Sequence, residues 1–173
     1  MATAPRDLVQ SLFVTGLKNV HGVEHSALAL IDRQLDHLKS YPEVADQLRL
    51  HRAETEAQIT RVEEILDGFG EQRSMIRDAW LSLTGNMAAV AHVFAPDEIL
   101  KNSFANFAFE NFEAASYSSL IAMAEVGGFD TATAPLQQSL GEEQRMAAWL
   151  ADHNPAITRR YIELRAAGET AGH

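Results

Sequence analysis

Glutamates stand in the middle of apolar rows that repeat at helical spacing, and no feature of the chain limits its fold more. Between Arg6 and Lys39, the residues Phe13, Leu17, Val20, Ala27, Leu28, Ile31 and Leu35 recur at three- and four-residue steps, and Glu24 lies in that stripe. Leu136, Leu140, Ala147 and Leu150 form a second row with Glu143 at its centre, while Glu142 points off it. Glu110 and Glu113 sit three residues apart among Phe107, Phe109, Ala114, Tyr117 and Leu120. In the segment Glu43 to Gly68 the stripe of Val44, Leu48, Val62, Ile65 and Phe69 has a polar middle, His51, Thr55 and Gln58, with Glu54 beside it. A buried, unpaired carboxylate costs several kcal/mol or takes up a proton, so one on each of four helices calls for compensation. A shared cation supplies it. The other reading leaves each glutamate on a helix edge, paired with Arg or Lys.

The heights of these residues bear on the choice. Antiparallel helices bring to one level residues equidistant from their connecting turn. Glu24 and Glu54 average to position 39, at an expected turn, and Glu113 and Glu143 average to 128, within another. Each pair is separated by 30 residues, which favours a single layer.

The helices are bounded by familiar signals. Pro5 suits a first helical turn, and Ser40, Tyr41 and Pro42 end the first segment near Lys39. Gly68, Phe69 and Gly70 stop the second. A weaker helical stretch, Glu71 to Phe94, reads as a crossover. A third helix is expected over 97–126 and a fourth over 131–152, separated by Gly127, Gly128, Phe129 and Asp130. A short helix over 156–166 and a frayed polar tail over 168–173 complete the expectation. The class is all-α: a four-helix bundle in a single domain, 1–173, whose core spans 6–152.

Composition narrows the chemistry. With no cysteine, thiolate catalysis, iron–sulfur clusters and cysteine-bound zinc are excluded, and any metal must be held by oxygen and imidazole. A formal net charge of -10 makes the chain a poor clamp for a phosphate backbone, so no nucleic-acid partner is expected. No apolar run suits a bilayer and no leader is evident, so no membrane partner and a cytoplasmic location are expected.

The helix order and the long crossover, together with His51, Glu54 and Gln58, then Glu110, Glu113 and Tyr117, then Leu140, Glu142 and Glu143, resemble the YciE/YciF-type family of the ferritin-like superfamily. The similarity covers about Asp7 to Leu150. The resemblance implies a carboxylate-bridged di-iron centre, with manganese or zinc as other occupants. By analogy with other two-metal sites the ions would lie about 3.5 to 4 Å apart. It also implies an association with bacterial stress, and iron or peroxide handling as the activity. Carried over onto this chain, the ligands are Glu24, Glu54, Glu113 and Glu143, joined by Glu110, with His51 and His21 as further candidates and Gln58 and Tyr117 supporting them. The chain departs from the di-iron pattern where a Glu-x-x-His is expected, because Ala57 follows Glu54 and Met146 follows Glu143. That departure weakens the case for oxygen activation. His25, His37, His92, His153 and His173 read as surface or local packing residues. The competing function is a non-catalytic structural or interaction protein on the same scaffold, its glutamates protonated or hydrogen-bonded. Trp80, Phe94, Phe104 and Trp149 exceed what one small core covers, which points to a homodimer or a larger homo-oligomer.

Overall fold

The computed structural model describes residues 5–71, 99–169 and 171. Its regular structure among these residues is entirely helical: α1 (Arg6–Leu35), α2 (Pro42–Gly68), α3 (Ile99–Gly127) and α4 (Asp130–Ala166). None of these helices is long and apolar enough to cross a membrane. The expected crossover, with Trp80 and Phe94, and His92 and His173 lie outside the described residues.

Cross-helix contacts give the direction of each helix. Arg52 of α2 reaches Asp32 of α1 at 2.6 Å, while Glu71, just past α2, meets Lys18 at 2.8 Å, so α1 and α2 are antiparallel. Asn106 of α3 exchanges amide hydrogen bonds with Gln34, and Tyr117 reaches Glu24, so α3 also runs against α1. Gln47 of α2 lies against Met146 of α4, and Arg61 against Glu142. Each helix therefore packs on two neighbours in a closed ring, α1 on α2 and α3, α4 on α3 and α2. Since α2 and α3 run in the same direction, the end of one and the start of the other lie at opposite ends of the bundle. That is the ferritin-like connectivity, distinct from an up-down-up-down bundle.

Two apolar clusters fill the ends of the bundle. One holds Phe13, Leu17, Leu66, Leu120, Phe129 and Leu136; the other holds Ile31, Leu38, Leu48, Ile99, Leu150 and Ile157. Between them lie the buried polar residues His51, Thr55, Gln58 and Ser139 and five carboxyls, beside a small third apolar group of Val23, Ala27 and Phe109.

The turns are built by specific residues. Helix α1 stops at Leu35, four residues short of the expected Lys39, because the chain then turns to place Leu38 and Tyr41 in the core, each 4% exposed. Pro42 opens α2 at a position where a missing N–H is harmless. Between α3 and α4, Gly128 takes φ +65°, and Phe129 turns inward to stack on Phe13 and meet Phe69 edge-on. A Cβ on Gly127 would lie 2.3 Å from the Phe129 ring. Gly127→Ala is therefore expected to cost about 1–3 kcal/mol, the usual penalty for overpacking. The check is a lower urea midpoint at unchanged m-value.

Residues 156–166 are helical as expected, but as the continuation of α4 rather than a separate element. Pro155 forfeits one backbone hydrogen bond, a loss of about 3 kcal/mol in a helix interior. Several contacts hold the helix across it. Asn154 accepts a hydrogen bond from Ser103, His153 stacks on Trp149, and Ile157 and Leu164 bury themselves against the α1–α2 corner. Burying two such side chains contributes about 3–6 kcal/mol, enough to outweigh the proline.

Candidate metal centre

The helical repeat carries a row of carboxyls into the layer between the apolar clusters. Glu24 comes from α1, Glu110 and Glu113 from α3, and Glu143 from α4, each at most 5% exposed. The α2 face toward the layer consists of His51, Thr55 and Gln58, at i, i+4 and i+7, all fully buried.

His51 is the hub. Its Nε2 lies 3.0 Å from Glu110 Oε2 and 3.7 Å from Glu143 Oε2, and its Nδ1 lies 3.3 Å from Glu54 Oε2. Gln58 Nε2 donates to Glu143 Oε1 at 2.5 Å, and the Tyr117 hydroxyl donates to Glu24 Oε1 at 2.5 Å. These bonds leave Glu24 Oε2, Glu143 Oε2 and both oxygens of Glu113 buried with no hydrogen-bond donor. Orphaned carboxylate oxygens in one layer are what a cation would satisfy. His51, Glu110 and Glu143 can each offer one donor atom within 4.8 Å of the others, so the group can hold a metal ion.

The electrostatics agree with that geometry. Burial raises the Glu24 pKa to about 8, against the opposing hydrogen bond from Tyr117. Burial, then the charges of Glu24 and Glu110, raise Glu143 to about 10. Glu113 is pushed well above the carboxylate range by burial first and by Glu24, Glu143 and Glu110 after it. For His51 burial favours the neutral ring, but Glu110, Glu54 and Glu143 together outweigh it and hold the imidazole charged well above its ordinary range. Burial, followed by the Glu24 charge, likewise raises the Tyr117 hydroxyl. Without a cation the layer therefore holds protons in its place.

Several expectations change here. Glu54 is on the rim, its side chain 21% exposed and paired with Arg145 at 3.1 Å. Its pKa is lowered by the His51 hydrogen bond first. Ala57, where a ferritin-type histidine was expected, faces solvent, whereas Met146 is buried and projects above the layer. Glu142 does not point away; it is 5% exposed, ion-paired with Arg61 and hydrogen-bonded by Gln58 and Gln138, both at 3.0 Å. The signal for it was Arg61, a cation seven residues beyond Glu54 whose partner is distant in sequence. His21 turns to Glu63, at 3.1 Å, and to the ring of His25, so its recorded contacts lie away from the carboxyl layer. His25 is half-buried against the His21 ring, which is the local packing role among the two expected for it.

The family model described as "Domain of unknown function (DUF892)" matches residues 9–163, nearly the whole bundle. The chain belongs to the DUF892 family. Two solved structures share the fold of this DUF892 chain. A protein of Xanthomonas campestris pv. campestris is 22% identical, with a TM-score of 0.76, over 91% of this chain and 99% of its own. The Escherichia coli stress protein YciF is 21% identical, with a TM-score of 0.69, over 86% and 97%. The DUF892 bundle thus shares the fold of YciF, and its buried His–Glu cluster occupies the middle of that fold.

Proposed function

We propose that the protein binds a dinuclear centre of iron or manganese in the bundle core. The observation that carries this reading is the set of donorless oxygens on Glu24, Glu113 and Glu143, buried in one layer with His51 and Glu110. Glu24, Glu110, Glu113 and Glu143 would hold the ions, with His51 as the imidazole donor and Glu54 in reach at the rim. Carboxylate oxygen favours iron or manganese over softer ions. Bound there, such a centre supplies redox chemistry toward Fe(II) as substrate or toward peroxide, in keeping with a stress-related role.

The chain's own residues prepare the place. Tyr117 and Gln58 fix one oxygen each of Glu24 and Glu143 and leave the second free. The protons held by these carboxyls must leave when a cation arrives, and His51 and the rim carboxylate of Glu54 form a relay toward solvent. The apolar clusters on both sides keep water out and strengthen each charge interaction within. Exposed Phe104 and Phe112 on α3 support self-association.

Metal analysis of protein expressed with added iron or manganese tests the reading. The wild type is expected to hold about two ions per chain. The variant Glu24→Gln/Glu113→Gln, which keeps hydrogen-bonding shape without charge, should lose at least one of them while remaining helical. A wild type that gains no ion on anaerobic Fe(II) titration would sink the proposal. It would favour the second reading, a non-catalytic scaffold whose glutamates stay protonated, which the hydrogen bonds from Gln58 and Tyr117 support.

A further inference from the structure

We propose that His21, His25 and Glu63 form a second, mononuclear site on the α1–α2 face, suited to a zinc-like divalent transition ion. His21 and His25 lie one turn apart on α1, their ring centroids 4.5 Å apart and packed edge to face at 72°. From α2, Glu63 brings Oε1 to 3.1 Å from His21 Nε2. One donor atom from each of the three lies within 4.8 Å of the others. Two imidazoles and one carboxylate make up the protein ligands of mononuclear zinc sites that keep an open position. This donor set differs in kind from the carboxylate layer: imidazole selects borderline ions, whereas the buried centre offers mainly hard oxygen.

Burial fits the assignment. His21 is 4% exposed and its Nδ1 has no hydrogen-bond partner, while Glu63 keeps a quarter of its side chain in contact with solvent. The cluster thus has a buried inner ligand and an outer edge by which an ion can enter and exchange. The cluster shares no residue with the group formed by His51, Glu110 and Glu143, so the two sites can be disabled by separate substitutions.

The test is Co²⁺ titration of the full-length chain, followed by visible absorption and competed with Zn²⁺. In a Glu24→Gln/Glu113→Gln/Glu143→Gln background, where the carboxylate centre is disabled, one Co²⁺ per chain is expected to remain, with the bands of a tetrahedral site of mixed nitrogen and oxygen donors. Adding His25→Ala should weaken that binding by more than about 100-fold, since residues that merely orient a ligand are worth 10–100-fold. Should the triple variant not fold, wild type against His25→Ala alone reads the same quantity as a drop of one ion per chain. Equal Co²⁺ stoichiometry and affinity with and without His25 overturns the proposal. A wild type whose single ion is lost in His25→Ala but kept in Glu143→Gln sustains this site while removing the dinuclear one.

Discussion

Freed of metal by chelation, the protein is expected to melt at progressively lower temperature as the pH rises from about 5 to about 9, the reverse of an ordinary acid-sensitive protein. The sign follows from the buried glutamates. Burial lifts Glu24 from 4.5 to about 8 and, with neighbouring negative charge, Glu143 from 4.5 to about 10, and Glu113 moves the same way. Above 4.5 the unfolded chain has released these protons while the folded chain keeps them. The folded state then binds more protons, and its advantage shrinks as pH rises. The contribution is complete below 4.5 and is lost as pH passes through each folded pKa. Each fully linked group gives a slope of about 1.4 kcal/mol per pH unit. His51, held above 6.5 against the effect of its own burial by Glu110, Glu54 and Glu143, acts in the same sense. Glu54 acts oppositely, but its contribution is lost only below about 4.5, outside this window. Circular-dichroism melts across the pH series measure the trend. Glu24→Gln/Glu113→Gln/Glu143→Gln should flatten it, and a melting temperature that rises toward pH 9 in chelator would exclude protonated carboxyls. Excess Mn²⁺ should also flatten the profile, because the ion replaces the protons.

The variant Arg61→Met is expected to destabilise the bundle by about 3 kcal/mol or more, because it leaves a buried carboxylate without its cation. Glu142 is 7% exposed at its side chain and Arg61 is 14%, and Arg61 donates from two nitrogens, Nη1 at 3.1 Å and Nη2 closer still. The companion Arg61→Met/Glu142→Gln should recover most of the loss. Gln58 and Gln138 donate to different oxygens of Glu142, so the neutral amide keeps an acceptor for one of them, and the uncompensated charge is gone. Urea unfolding of the four members of this cycle gives the coupling. A double variant no more stable than Arg61→Met alone would mean that the guanidinium matters for its packing rather than its charge.

Helical period alone located Glu24, Glu110, Glu113 and Glu143, because each lies on a row whose apolar members declare which way the row faces. On α2 the apolar residues on either side still marked His51, Thr55 and Gln58 as the inward positions, and Glu54, on the shoulder beside them, drew attention through its height alone. Glu142 and the group of His21, His25 and Glu63 stayed hidden. Their partners lie tens of residues away, so the contacts exist only after the helices pair. Pro155 misled in the opposite direction: a strong local stop signal was overridden by the burial of Ile157 and Leu164, which only the folded corner provides. Topology was legible because the equal spacing of the glutamates is a property of hairpins rather than of single residues.

Tyr117 belongs to two worlds at once, its ring packed with Phe13 and Leu17 in one end cluster and its hydroxyl bonded to Glu24. It is a lever between a dry compartment and a charged one. A change of volume around Phe13 will tilt that ring and move a carboxyl oxygen of Glu24, although no polar atom has been touched. At the opposite end Met146, in contact with Gln47, offers a compliant thioether that absorbs such shifts. The tuning of the proposed centre is therefore asymmetric: its affinity would be adjusted from the Phe13 end by hydrophobic substitutions, while the other end would be free to vary for stability.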